Sequence, residues 1–353
     1  MIFEQDFAEI VAEPLDWQFL RNKKVLITGA YSMLGAYMGH FMLYLSRVFG
    51  LNIQVILLGR NKEKMQDCYA DYIYDKSCIF LIQDVAEEIN VEDVNYIFHF
   101  AGNCSPYFIK NTPVDILHTN LVGTFSVMEL ARKQKVDKVI LASTREVYGE
   151  LPEGIGSITE DLCGTLDPLD DRSCYPESKR VEETIAKSYY LQYGVPFNSV
   201  RLAHVYGPGM RTENDGRVMS DFIGDAINGR DIVLKSDGMA ERAFCYISDA
   251  ISGILYILMK GVVGEAYNLS NELESLPIRS VAEIICKASN KNIKVVTAVA
   301  SKDGYCRYPR VALDNSKLHK LGMFPKVSLV EGIRRTLAYF KAKGHKNESD
   351  SMK

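Results

Sequence analysis

No apolar run in this sequence approaches the ~20 residues that a membrane span needs, and the acidic start MIFEQDFAEIVAEPLDWQFL lacks the basic opening of a secretory signal. A cytoplasmic protein is expected. Basic blocks are missing too: 41 Lys and Arg against 45 Asp and Glu leave a net charge of -4, with no field for gripping a phosphate backbone. Nucleic acid is excluded as the expected partner. The 8 cysteines form no Cys-x-x-Cys pair and no Cys/His cluster of zinc spacing, so no metal site is expected. They read as reduced, mostly packed thiols. Neither an internal repeat nor a low-complexity linker interrupts the chain.

What is present is a rhythm. Apolar runs of about five residues, KVLITGA, IQVILLGR, YIFHFAG, KVILAST and PFNSVRLAHVYG, alternate with the helical patterns MLGAYMGHFMLYLSRVFG, VDILHTNLVGTFSVMELARKQK and PESKRVEETIAKSYYLQYG. Gly194 closes the third pattern as a C-cap glycine would. Strands alternating with helices imply a parallel sheet, and the fold class is α/β: a doubly wound sheet of Rossmann type with a smaller C-terminal lobe. Helix candidates in that lobe lie near 217–229, 248–260, 279–290 and 327–343.

The stretch VLITGAYSMLGAYMGH sets Gly29 and Gly35 between a strand and a helix, where backbone N–H groups and the helix dipole meet a pyrophosphate. Gly29 supplies a tight turn and Gly35 close helix packing. Ser32 stands where a G-x-x-G-x-x-G pattern wants its middle glycine, and Met33 and Leu34 complete the turn. A bound dinucleotide is expected. Arg60, after the second strand, occupies a place where an NAD site usually carries an acid; an arginine there suits a 2'-phosphate, so NAD and NADP both stay open. Asp84 and Val85, then Phe100, Ala101 and Gly102, follow two further strand ends, where small residues let a flat ring lie against backbone.

In SCYPESKRVEE, Tyr175 and Lys179 are four apart at a helix start, so their side chains face one way. A phenol of pKa ~10 is a poor base at neutral pH, and a neighbouring ammonium together with a nicotinamide cation favours the phenolate. Ser143 and Thr144 end an apolar strand, and their hydroxyls are candidates to hold the oxygen that Tyr175 deprotonates.

From about Lys23 to Phe340 the chain resembles the extended short-chain dehydrogenase/reductase superfamily of NAD-dependent epimerases and dehydratases. It looks nearest to the UDP-glucuronate decarboxylase branch. NCSPYFIKNTPVDILHTNLVGT, STREVYG, RSCYPESKR, NDGRVMSDFI, RAFCYISDAISGI and CRYPRVALDNSKLHKLGMFPKVSL carry the likeness. The resemblance implies a nucleotide-sugar substrate and bound NAD that takes a hydride from the sugar C4 and later returns it. A C4 ketone makes the sugar a β-keto acid, whose C6 carboxylate leaves as carbon dioxide to give a UDP-pentose.

By match, Thr144, Tyr175 and Lys179 carry hydride-transfer chemistry, Glu146 is an acid that decarboxylases and dehydratases keep, and Arg307 lies near the sugar C6 end. Tyr175, Lys179, Ser143, Asn120 and His204 are implied to line the cofactor, with His204 replacing a family asparagine. Ser105, Arg145, Arg217, Arg242 and Arg307 are implied to face the substrate. Arg145 departs from the pattern: dehydratases carry aspartate there, which speaks against dehydration, and typical decarboxylases carry serine. An inward guanidinium would fork onto a carboxylate or phosphate; an outward one would be an ordinary surface charge. A 4,6-dehydratase or 4-epimerase is the alternative, and a catalytically silent nucleotide-sugar-binding homologue is the alternative of another class.

The expected organisation is an N-terminal extension over 1–22 and a dinucleotide-binding domain over 23–204, to which segments around 243–270 return. A substrate-binding lobe mainly over 205–343 and a frayed tail over 344–353 complete it. A homodimer is expected through the helices containing 120–132 and 176–193, with apolar faces at Leu121, Phe125, Met128 and Ile185.

Overall fold

The computed structural model describes residues 3–213, 215–298 and 312–350, with side chains as far as 344. Seven strands, β1 (Lys24–Thr28), β2 (Gln54–Gly59), β3 (Cys78–Ile82), β4 (Tyr96–His99), β5 (Lys138–Thr144), β6 (Phe197–Leu202) and β7 (Glu265–Leu269), make one sheet. Their order is β3-β2-β1-β4-β5-β6-β7, and every pair is parallel. Strand order reverses between β1 and β4, the place where a doubly wound sheet opens a ligand crevice at its carboxyl edge.

The central strands carry apolar runs, over 25–27, 96–98 and 139–142, because both faces are covered there. Along β1, Val25 and Ile27 join one buried cluster while Leu26 joins the other, the two-residue alternation of a pleated strand. The longer helices are α1 (Glu4–Val11), α2 (Met33–Val48), α3 (Pro113–Gln134), α4 (Cys174–Tyr193), α5 (Val218–Ile227), α6 (Ile247–Lys260), α7 (Ile278–Ser289) and α8 (Leu329–Asp350), of which α5, α7 and α8 pack on one another and on the small strand pairs rather than on the sheet. The α3–α4 pair packs together, while α2 and α1 lie against α6. Gly194, at φ 72°, caps α4 in the left-handed region that glycine adopts without strain. The smaller elements include the strand pairs 232–234 with 295–297 and 241–243 with 275–277.

The structure adds to the expectations in several places. The N-terminal extension over 1–22 packs on the core, where Phe7 and Ile10 of α1 are buried and Asp6 is hydrogen-bonded. The run PFNSVRLAHVYG is two strands, because His204 takes φ 49° and turns the chain, after which Val205–Tyr206 pairs with Cys245–Tyr246. The tail expected to fray from 344 continues α8 to Asp350. Met128 and Ile185, which either a dimer face or burial within one subunit would explain, belong to the core beneath α3 and α4. Phe125 is exposed, as are Val122 and Val181 beside it on these helices. Among the described cysteines none forms a disulfide, and Cys104 and Cys163 are exposed rather than packed.

Candidate active site

The turn after β1 is built by close approach. Gly29 has φ 64°, and a Cβ there would lie 2.8 Å from Phe100 O and Ala101 N. A Cβ on Gly35 would collide with the carbonyl of Gly29. Ser32 needs no glycine: its φ is -74°, and its hydroxyl oxygen caps α2 by accepting from Gly35 N at 3.2 Å. Met33 and Leu34 follow it as the half-buried first helical residues.

Beneath the turn, Thr28 Oγ1 accepts from the amides of Phe100 and Ala101, each at 3.1 Å. Its own proton therefore goes to His99 Nδ1 at 2.8 Å, which leaves the ring proton on Nε2, 3.2 Å from Thr124 Oγ1. That hydroxyl donates in turn to Asn120 O. Burial and the nearby Lys179 charge push the His99 pKa down to about 3, so the ring is neutral. Neither Thr28 nor His99 stood out in the sequence, where each is one more residue of a strand.

At the β2 and β3 ends, Arg60 Nη1 is paired with Asp84 Oδ2 at 3.3 Å and is also engaged by Tyr31. Tyr31 lies so close over Gly59 that a Cβ there would be 2.8 Å from its ring. Val85 is buried and packs on Gly123 of α3. A Cβ on Gly102 would sit 3.0 Å from Asn120 Oδ1 and 3.5 Å from Lys179 Nζ. Asn120 donates to Ser178 Oγ at 2.8 Å, yet its buried Oδ1 has no partner among the described residues. A buried amide oxygen without a donor is costly, and it suits a ligand that brings one.

Tyr175 is buried in the first turn of α4, with Thr144 donating to it. Thr144 Oγ1 accepts from Glu146 N at 3.3 Å, so one hydroxyl joins the β5 end to the phenol. Burial raises the Tyr175 pKa well above its usual value, Cys104, Glu146 and Glu182 add to this, and Thr144 opposes it. The protein's own groups thus favour the neutral phenol. Lys179, expected to keep it ionised, donates instead to Ala142 O and Glu182 Oε2, both at 3.0 Å. Ser143 is also committed elsewhere, donating to Glu183 Oε1 at 2.6 Å. Partly buried Glu146 has its pKa raised by desolvation, against the pull of Arg172 and Arg145.

Further out, Arg145, Ala203, His204, Arg242, Ala243, Glu272 and Leu313 line a narrow cleft. Arg145 Nη1 lies 3.4 Å from His204 Nε2. His204 is solvent-exposed, and desolvation by the cleft walls with repulsion from Arg145 and Arg242 lowers its pKa from the ordinary value. Arg242 Nη1 donates to Glu241 O at 2.6 Å. Arg217 forks onto buried Asp215, at 2.5 and 3.0 Å, and lies 3.7 Å from Cys104 Sγ. Ser105 donates to Asp215 O at 2.7 Å, tying the loop after β4 to this arginine. Arg307 lies outside the described residues. Cys104 and Glu182 escaped sequence reading: the first looked like a packed thiol and the second like one more helix-surface acid.

Turn glycines, the open Asn120 oxygen and the row of small residues at the β4 end fit a nicotinamide dinucleotide. Comparison with known proteins agrees. Residues 25–270 match the model of the NAD dependent epimerase/dehydratase family. The chain is 31% identical over 317 residues to UDP-glucuronic acid decarboxylase 6 of Arabidopsis thaliana, covering 89% of this chain and 88% of that one. It is 36% identical over 252 residues to decarboxylase 3 of the same plant, covering 71% and 70%. The dTDP-glucose 4,6-dehydratase of Bacillus anthracis, solved in complex with NAD, superposes with a TM-score of 0.74 at 25% identity, covering 91% of this chain and 97% of that one.

Proposed function

Because this chain belongs to the NAD dependent epimerase/dehydratase family, we propose that it is a nucleotide-sugar enzyme that decarboxylates UDP-glucuronate to a UDP-pentose. The observation that carries this reading is the meeting of Tyr175, Thr144, Lys179 and Glu146 at the carboxyl edge of a sheet whose sequence relatives are decarboxylases. NAD is the proposed cofactor. Gly29, Ser32, Gly35, Asp84, Phe100, Ala101, Gly102, Asn120 and Lys179 would hold it, with Met33, Leu34, Val85 and Arg60 at its flanks. When bound it would accept the C4 hydride and give it back after the carboxylate has gone. Arg60 is already engaged by Asp84 and Tyr31, which supports NAD over NADP, since a 2'-phosphate would have to displace that pairing.

Tyr175 takes the C4 hydroxyl proton, and the Thr144 hydroxyl steadies the phenolate as it forms. Glu146, whose carboxyl pKa is raised by burial and whose charge is felt at Tyr175, is the candidate acid for protonating the carbon that carbon dioxide leaves. Arg145 and Arg242 set two positive charges at the cleft wall, and a guanidinium suits a sugar carboxylate or a diphosphate. Arg217, held rigid by Asp215, is the second diphosphate candidate. Decarboxylation itself asks little more of the protein than a C4 ketone and room for carbon dioxide to leave.

Incubating the protein with UDP-glucuronate and following the mixture by mass spectrometry tests this. Loss of 44 mass units, the carbon dioxide lost in this chemistry, is the expected result. Loss of water from dTDP-glucose would favour a dehydratase, inversion at C4 an epimerase, and no conversion of any nucleotide sugar a binding protein. Exposed Val122, Phe125 and Val181 on α3 and α4 support a homodimer through these helices, which light scattering would show.

A further inference from the structure

We propose that Glu182 is a positioning residue for this reaction, setting both where the Lys179 ammonium rests and how much of its charge reaches Tyr175. The proposal builds on the decarboxylase reading, and it is carried by a buried ion pair that the fold does not need. Tyr175, Lys179 and Glu182 stand at i, i+4 and i+7 on α4, so one helical face carries all three. Glu182 Oε2 lies 3.0 Å from Lys179 Nζ, and the two side chains are only 2% and 7% exposed.

The three N–H bonds of Lys179 are then apportioned. One goes to Ala142 O at the end of β5 and one to Glu182. Nζ also lies 3.5 Å from the point where a side chain on Gly102 would begin, so the third borders the crevice lined by Gly102 and Asn120. Without Glu182, the ammonium would keep one anchor and swing about it. With the pair, it is pinned beside the dinucleotide crevice.

Stability gives no reason for the arrangement. Taking a carboxylate and an ammonium out of water costs about what their attraction returns, and well-packed apolar residues commonly do as well. Here the account is worse, because Glu182 Oε1 is buried and finds no hydrogen-bond partner among the described residues. Such a group is better explained by the charge it places near a reacting atom.

That charge is adjustable. Burial raises the Glu182 pKa to about 7; Lys179 opposes this and Glu183 adds to it. The other groups around it leave Glu182 as the member that titrates near neutrality. Glu183 is ionised and committed to Arg201, Ser143 and Ser199, and its pKa is lowered. Across the crevice on β4, His99 is neutral, and on α3 the facing Asn120 carries no charge. Ionised Glu182 raises the Tyr175 pKa, as its place among the causes of that shift shows. Protonated Glu182 leaves the Lys179 charge uncancelled and makes the phenolate easier to form.

The test compares wild type with Glu182→Gln, which keeps the shape and an oxygen for Lys179 while removing the charge. In kcat/KM for UDP-glucuronate against pH, the acidic limb of the variant is expected at lower pH by about half a unit or more, the size of an adjacent-charge effect. In parallel, the Lys179 Cε resonance of ¹³C-lysine-labelled protein, assigned with Lys179→Met, is expected to step near neutral pH in wild type and to be flat in E182Q. An unmoved limb, or a wild-type resonance flat through neutrality, overturns the proposal. The resonance needs no substrate, so a wild type inert toward UDP-glucuronate sinks the decarboxylase reading while the step still decides for or against Glu182. Should E182Q fail to fold, the wild-type titration decides alone.

Discussion

Arg335 donates from Nη1 to Oδ1 of Asp6 at 2.6 Å, clasping α8 near the end of the chain to α1 near its start. The other carboxylate oxygen accepts from Tyr37 and Tyr246, at 2.8 and 2.9 Å. Asp6→Asn removes one of three carboxylates around Arg335 and leaves Glu9 and Glu331 to hold its charge. A loss of about 1.5–3 kcal/mol is expected, the worth of a hydrogen bond to a charged group. Urea denaturation measures it, and a change below 1 kcal/mol would mean the clasp is decorative.

His99 offers a pH test with a definite sign. Its pKa is about 3 in the fold against 6.5 ordinarily, so the unfolded chain binds the proton that the fold refuses. The contribution is present in full above the ordinary value and is lost as pH falls from there toward 3. The stability difference between wild type and His99→Gln should therefore shrink between pH 7 and pH 4. A difference that stays constant across this range would show a ring that takes up its proton in the fold as readily as in the unfolded chain.

Gly35→Ala sets a methyl against the Gly29 carbonyl, so either the turn or α2 must move. NAD affinity should fall by about ten-fold or more, equivalent to roughly 1.4 kcal/mol. Titrating NADH fluorescence checks this. Equal affinity in the two proteins would take the dinucleotide away from this turn.

Tyr175→Phe keeps the buried ring and loses only the oxygen that Thr144 reaches. Turnover should drop by about a hundred- to ten-thousand-fold, the usual worth of a positioned acid–base group, with the fold unchanged by circular dichroism. Full activity in this variant would return the protein to the silent-homologue reading.

Arg145→Ser should weaken UDP-glucuronate binding by about ten- to a hundred-fold, as expected for losing a charge-assisted hydrogen bond, and leave UDP-glucose binding alone. Calorimetric titration of both sugars separates the cases. Equal losses would assign the guanidinium to the diphosphate instead of the sugar carboxylate.

Much of this was legible in the residues themselves. The alternation of apolar runs and helical patterns, the two turn glycines and the Tyr175–Lys179 spacing are local facts: each needs only neighbours within a turn or a strand, and side-chain direction follows from backbone periodicity. Strand order is not among them, since the same rhythm with right-handed connections fits more than one doubly wound order, and the switch between β1 and β4 is set by packing.

Partnership was decided elsewhere. Whether Lys179 serves Tyr175 or Glu182, whether Ser143 turns to a substrate or to Glu183, and whether the first helix is an appendage or core depend on contacts that only packing creates. Hydrogen bonds and charges act through space over a few ångströms and take no account of chain distance, so Asp6 and Arg335 meet for reasons that no local spacing contains.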